Sequence, residues 1–95
     1  MILLLGGTSE TAPLATRLAD AGYGVLVSTA TETPLETGRH PRIRRRCGRL
    51  DAEALAALAV EIDASALVDA AHPYAEALHR NATLAADATG LPLFP

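Results

Sequence analysis

Short apolar runs alternate along the chain with longer stretches in which apolar residues recur every three or four positions. The runs cover residues 2–5, 25–28, 42–50, 64–70 and 91–95, and they are typical of buried β-strands. The stretches between them cover residues 10–21, 51–62 and 72–90 and predict amphipathic helices. Alternation of strand and helix predicts an α/β fold: a three-layer, doubly wound parallel sheet of about five strands. Residues 1–95 are expected to form one domain, since a chain of this length holds one core.

Residues that terminate helices lie at the expected places. Gly6 and Gly7 follow the first run and allow a sharp turn, and Thr8 and Ser9 are expected to cap the helix after it. The other terminators are Gly22 after the first helix, Asp51 before the second, and Pro73 and Gly90 in the first turn and at the end of the third.

Composition excludes several classes of function. Only 3% of the residues are aromatic, so the chain lacks the stacking platform of a protein that binds single-stranded nucleic acid. All eight basic residues are arginine, which excludes a Walker A loop, a Schiff-base lysine and the Tyr-x-x-x-Lys pair of short-chain dehydrogenases. The single cysteine, Cys47, cannot form an internal disulfide or a structural zinc site, and no metal site is predicted. The first apolar run is too short for a signal peptide or a membrane span, so a cytoplasmic protein is expected.

Polar residues follow the first, second and fourth strands, where open parallel sheets bind ligands. Gly6, Gly7, Thr8 and Ser9 form a glycine turn before a helix N-terminus, an arrangement that binds phosphate and that equally serves as a plain tight turn. Ser28 ends the second strand and Glu32 follows it, where a carboxylate can accept hydrogen bonds from an adenosine ribose.

The stretch "DAAHPYA" follows the fourth strand. Asp69 ends an apolar strand, so its carboxylate is expected to be paired or bonded to backbone N–H groups. Asp69 and His72 are the candidate catalytic residues, with His72 as the proton donor; the alternative is that His72 only caps the following helix and Asp69 braces the loop.

Six of the eight arginines lie between Arg39 and Arg49. The chain as a whole is acidic, with a net charge of -3, so a phosphate or polycarboxylate ligand fits this cluster better than nucleic acid does. We predict that Arg45 binds the substrate. The alternative is that these arginines belong to a solvent-exposed strand and loop.

Read together, the stretches "ILLLGGTSETAPLATRL", "CGRLDAEALAALA" and "LVDAAHPYAEALHRNATLAADATGLPL" resemble the precorrin-6A reductase family, including its cobalt-precorrin-6A branch, of cobalamin biosynthesis. The resemblance spans nearly the whole chain. It implies a Rossmann-like domain that binds NADPH or NADH and delivers hydride to a corrinoid substrate. It further implies that Gly6, Gly7, Thr8 and Ser9 hold the pyrophosphate, while Asp69, His72, Pro73 and Tyr74 lie beside the nicotinamide and the substrate.

Two departures from the family pattern bear on function. The loop after the second strand contains Glu32 and no arginine before Arg39, which favours NADH unless Arg39 or Arg42 folds back toward the cofactor. The chain also ends where family members continue into a second domain. Self-association is expected through the surface that would face the second domain. The rival interpretation is a catalytically incomplete nucleotide-binding or interaction domain.

Overall fold

The computed structural model describes residues 1–30, 40–72 and 74–95. Its five strands form one parallel sheet in the order β3-β2-β1-β4-β5. The strands are β1 Ile2–Leu5, β2 Val25–Thr29, β3 Ile43–Cys47, β4 Ala66–Asp69 and β5 Leu93–Phe94. The helices are α1 Thr11–Asp20, α2 Ala52–Glu61 and α3 Glu76–Thr89. The predicted α/β fold is confirmed, including the third strand.

Helices cover both faces of the sheet. On one face Leu4, Val25 and Val27 pack against the small residues Ala15 and Ala19 of α1. On the other face the apolar strand residues pack against α2 and α3, in a core formed by Leu3, Leu5, Leu55, Ala59, Leu67, Ala82, Ala85 and Ala86. β1 is buried on both faces because it is the central strand, which explains why all four of its residues are apolar.

The beginnings of two helices differ from the prediction. α3 begins at Glu76, with Ala75 at the N-cap position, so placing the first turn at Pro73 was wrong; Pro73 itself lies outside the described residues. α1 has Glu10 at its N-cap position, and this position has no side-chain cap bond, so the predicted cap by Thr8 and Ser9 was wrong. Thr8 Oγ1 instead accepts from Glu10 N–H at 3.3 Å, just before the helix.

Two helices end in the same hydrogen-bond arrangement, a Schellman motif. After α1, Tyr23 N–H donates to the Leu18 carbonyl, and Gly22 has a φ of 100°. After α2, Ala64 N–H donates to the Ala59 carbonyl at 2.9 Å, and the left-handed position is held by Asp63 with a φ of 54°. The predicted glycine terminators Gly22 and Gly90 are confirmed, whereas an aspartate in this position was not foreseen.

Candidate functional site

The loops after β1 and β4 meet at the carboxyl edge of the sheet. The chain moves from β1 outward to β2 and β3 and then returns to place β4 on the other side of β1, so the strand order reverses between β1 and β4. Thr8 Oγ1 donates a hydrogen bond to the Ala70 carbonyl across this junction, at 3.3 Å. The structure thus brings the predicted glycine turn next to the predicted "DAAHPYA" segment.

Thr11 organises the glycine turn from the first position of α1. It is fully buried, and its Oγ1 accepts from the N–H groups of Gly7 and Thr8 at 3.2 and 3.3 Å. A Cβ on Gly6 would lie 2.7 Å from Thr11 Cγ2, so the first glycine is required by this packing. A Cβ on Gly7, whose φ is 151°, would meet nothing within 4 Å, so the outer face of the turn is open. Ser9 follows on the exposed surface, and no acceptor among the described residues is bonded to its N–H.

Asp69, at the end of β4, is bonded through both carboxylate oxygens. Oδ1 accepts from Ala71 N–H at 3.1 Å, and Oδ2 pairs with Nδ1 of His79 on α3. The expectation that this carboxylate is paired and bonded to backbone N–H is confirmed. Its partner His79 was missed, because no short motif links residues ten positions apart. The sequence does place His79 in the first turn of the helix that follows β4. That turn lies over the end of the strand, so this position could have indicated the pairing.

The His72 and Tyr74 rings form a pair on the surface of the same loop. Their centroids are 4.9 Å apart with 33° between the planes, and Tyr74 is 86% exposed. The N–H of Tyr74 donates to His72 Nδ1 at 3.2 Å. The neutral imidazole of His72 therefore carries its proton on Nε2.

A cavity of about 510 Å³ lies on the α2 and α3 side of this edge. Its floor includes Leu5 and Ser28, at the ends of β1 and β2. Residues 48–51 form one wall, and residues 74–78 with Asn81 form the other. The volume suits a flat heterocycle with an attached sugar, and the lining combines leucines with a few polar groups, as is usual for a cofactor cavity.

Arg46 fixes the wall that precedes α2. Its Nη1 donates to Ser28 Oγ at 2.8 Å and to the Gly48 carbonyl at 2.9 Å, while Nη2 donates to the Cys47 carbonyl at 2.8 Å. Ser28 accepts this bond and keeps its own hydroxyl proton for another acceptor. Sequence reasoning named other members of the arginine cluster and missed Arg46.

Comparisons with known proteins identify the family. A model described as "Precorrin-6x reductase CbiJ/CobK" matches residues 1–95. The chain belongs to this family. The cobalt-precorrin-6A reductase of Priestia megaterium is 37% identical over 92 residues, and the precorrin-6A reductase of a Sinorhizobium species is 39% identical over 94 residues. A solved structure described as CobK precorrin-6A reductase superposes with a TM-score of 0.82 at 32% identity and 97% coverage of this chain.

The chain spans about a third of the length of these members of the precorrin-6x reductase family. It covers 36% of the Priestia megaterium protein, 35% of the Sinorhizobium protein and 36% of the solved chain. About 97% of the chain is matched in each case.

Two further arginines of this family member, Arg45 and Arg42, lie on β3 and directly before it. Arg45 lies on the opposite face of the strand from Arg46, and its Nη2 donates to Thr29 Oγ1 at 3.2 Å. Arg42 precedes β3 at the amino edge of the sheet, where Nη1 donates to the Gly22 carbonyl at 3.1 Å. The suggestion that Arg42 folds back toward the cofactor was therefore wrong. Glu32 and Arg39 lie outside the described residues. Among the described residues, no helix is long and apolar enough to cross a membrane.

Proposed function

We propose that residues 1–95 form the dinucleotide-binding part of an NAD(P)H-dependent reductase that acts on precorrin-6A or cobalt-precorrin-6A in cobalamin biosynthesis. The observation that carries the proposal is the contact between the glycine turn and the "DAAHPYA" loop, at the same edge of the sheet as a cavity lined by Leu5, Ser28 and Tyr74, in a chain of the precorrin-6x reductase family.

The residues present fit a nicotinamide dinucleotide. The open outer face of Gly7 lets a pyrophosphate approach the backbone, and Thr8 and Ser9 lie at the positive end of α1. The cavity between residues 48–51 and 74–78 suits the adenosine, with Ser28 as a hydroxyl donor. Glu32, which follows β2, is proposed to accept from a ribose hydroxyl and to favour NADH over NADPH.

When bound, the reduced nicotinamide supplies hydride for a double bond of the macrocycle. The chain's own contribution is to bind and orient the reactants and to hold a proton at His72 Nε2, on the exposed side of the loop. Asp69 has both oxygens engaged within the protein, so we assign it a positioning role. Pro73, Tyr74 and Arg45 are proposed to contact the substrate.

Dinucleotide binding is tested by fluorescence titration with NADH and NADPH. Gly7→Ala is compared with Gly22→Ala, because both glycines have positive φ and open space around the added Cβ, whereas Gly22 lies at the opposite edge of the sheet. We expect similar losses of stability and a loss of affinity of tenfold or more only in Gly7→Ala. Equal affinity in both variants would contradict the proposed phosphate site.

Reduction of the macrocycle is tested in a chimaera in which residues 1–95 replace the matching third of the Priestia megaterium cobalt-precorrin-6A reductase. We expect turnover of cobalt-precorrin-6A by the chimaera and a loss of about 10²-fold in kcat for its His72→Asn variant, the usual contribution of one positioned acid. Full turnover by His72→Asn would remove the proton-donor role.

The second candidate is the catalytically incomplete nucleotide-binding or interaction domain. It predicts dinucleotide binding by residues 1–95 and no turnover by the chimaera.

A further inference from the structure

Both ring nitrogens of His79 face hydrogen-bond acceptors. Nδ1 pairs with the Asp69 carboxylate, and Nε2 lies 2.9 Å from the His72 carbonyl oxygen. A neutral imidazole carries one proton and can satisfy only one of these acceptors, whereas the imidazolium donates to both. The observed arrangement therefore belongs to the cationic form of His79.

These two bonds join both ends of the segment between β4 and α3. Asp69 also accepts from Ala71 N–H at the start of the segment, and the His72 carbonyl also accepts from Ala75 N–H at its end. His79 thus holds together the carboxylate and the carbonyl on which the turn is built. The His72 and Tyr74 rings lie on that turn, and Tyr74 also lines the cavity.

We propose that His79 is a positioning residue whose protonation holds residues 70–72, 74 and 75 in place, so that loss of the Nε2 proton releases the His72 carbonyl and shifts the His72 and Tyr74 ring pair. The consequence for the cofactor rests on the proposed function: dinucleotide affinity falls as the pH rises through the pKa of His79. The movement of the segment itself does not depend on any ligand.

The charges around His79 favour the cation. The hydrogen bond that His79 donates to Asp69, at the end of β4, is the main reason that the pKa of His79 is raised above its ordinary value. Partial burial lowers the pKa, while the His72 carbonyl and Glu76, one turn earlier on α3, raise it. The His72 ring is turned toward the N–H of Tyr74.

The first experiment follows the histidine rings and the backbone N–H groups of Ala71 and Ala75 by NMR during a pH titration of the full chain. We expect both N–H signals to titrate together with the His79 ring, at a pKa above about 6.5. The titration should be absent in His79→Gln. It should persist in the control His40→Gln, because His40 also pairs with a carboxylate, Asp20 at 3.4 Å, but at the opposite edge of the sheet. If the Ala71 and Ala75 N–H signals of the wild-type chain do not titrate together with the His79 ring, the proposal is overturned. This outcome does not depend on the folding of any variant.

The second experiment measures the affinity for NAD+ by calorimetry between pH 6 and pH 9. NAD+ is used because the 2′-phosphate of NADP+ would itself titrate near a pH of about 6. We expect the affinity of the wild type and of His40→Gln to fall about three- to tenfold over this range, and that of His79→Gln to stay level. An equal fall in His79→Gln would overturn the regulatory role. If NAD+ binds at no pH, the proposed function fails, while the NMR titration still decides the role of His79.

Discussion

At the scale of single residues, the glycine turn depends on one buried hydroxyl. Thr11 fills the space beside Gly6 and accepts from the backbone N–H groups of Gly7 and Thr8, so its methyl and its hydroxyl have separate functions. Gly6 is therefore constrained by packing and Gly7 by backbone conformation. The two adjacent glycines look equivalent in the sequence, but each is required for a different physical reason.

Gly6→Ala should destabilise the fold by about 1–3 kcal/mol, because the new Cβ would overlap Thr11. The clash is with Thr11 Cγ2 at 2.7 Å and Oγ1 at 2.9 Å. Thr11→Ser removes the nearer atom and keeps the acceptor. Urea unfolding of the two single variants and the double variant should show that the double variant is more stable than the sum of the single losses predicts. Strict additivity would mean that the clash is relieved elsewhere.

The stability conferred by His79 should depend on pH. Its pKa is raised in the folded state by the Asp69 hydrogen bond, so its contribution is complete below the unfolded pKa of about 6.5 and disappears as the pH rises through the folded pKa. The difference in unfolding free energy between wild type and His79→Gln should be largest at acidic pH and should shrink toward alkaline pH. A difference that is constant from pH 5.5 to pH 9 would contradict a charged His79.

At the scale of elements, α1 and α2 end in the same Schellman motif with different residues at the left-handed position. Gly22 adopts this conformation without strain, whereas Asp63 carries a Cβ that opposes it. The left-handed position after α2 is thus occupied by a residue that is less stable in this conformation than glycine.

Asp63→Gly should stabilise the protein by about 1 kcal/mol, and the reciprocal Gly22→Asp should destabilise it by a similar amount. Nothing lies within 4 Å of a Cβ added at Gly22, so the cost there is conformational rather than steric. Thermal unfolding of both variants measures the two effects. Changes of the same sign would show that interactions of the Asp63 side chain outweigh its backbone conformation.

At the scale of the whole molecule, the candidate site lies at the junction of the two halves of the sheet. Bonds between β1 and β4, and from Thr8 to Ala70, hold the glycine turn against the loop that carries His72. A ligand that spans this junction binds the folded state alone, so it should increase global stability.

The dinucleotide preferred in the titration should raise the unfolding free energy by about 2.7 kcal/mol when present at 100 times its Kd. Differential scanning fluorimetry with and without the dinucleotide measures this increase. Gly7→Ala should show a much smaller increase at the same concentration, and Gly22→Ala a full one. An increase of wild-type size in Gly7→Ala would place the ligand elsewhere.

Much of this organisation is predictable from the sequence. Strands and helices follow from apolar periodicity, and Asp51, Gly22 and Gly90 mark helix ends through local backbone chemistry. Asp69 was predicted to be paired because burial of an unpaired carboxylate at the end of a strand is energetically costly.

The partners of these residues are not predictable in the same way. His79 meets Asp69 only because α3 folds back over β4, and Arg46 rather than Arg45 faces Ser28 only because of the register between β2 and β3. Arg42 likewise lies at the amino edge of the sheet, because it directly precedes β3, and its side chain reaches Gly22 at that edge. Local pattern determines the element, whereas long-range register determines which side chain reaches the site.

The central position of β1 also has a consequence for the order of events during synthesis. β1 leaves the ribosome before the other four described strands, yet its second neighbour, β4, follows more than sixty residues later. At ordinary elongation rates this interval is roughly 3–13 s, during which a wholly apolar strand has one open hydrogen-bonding edge. The nascent chain is therefore most exposed to misassociation in that window, and a chaperone that recognises short leucine-rich segments would have its natural target at Ile2–Leu5.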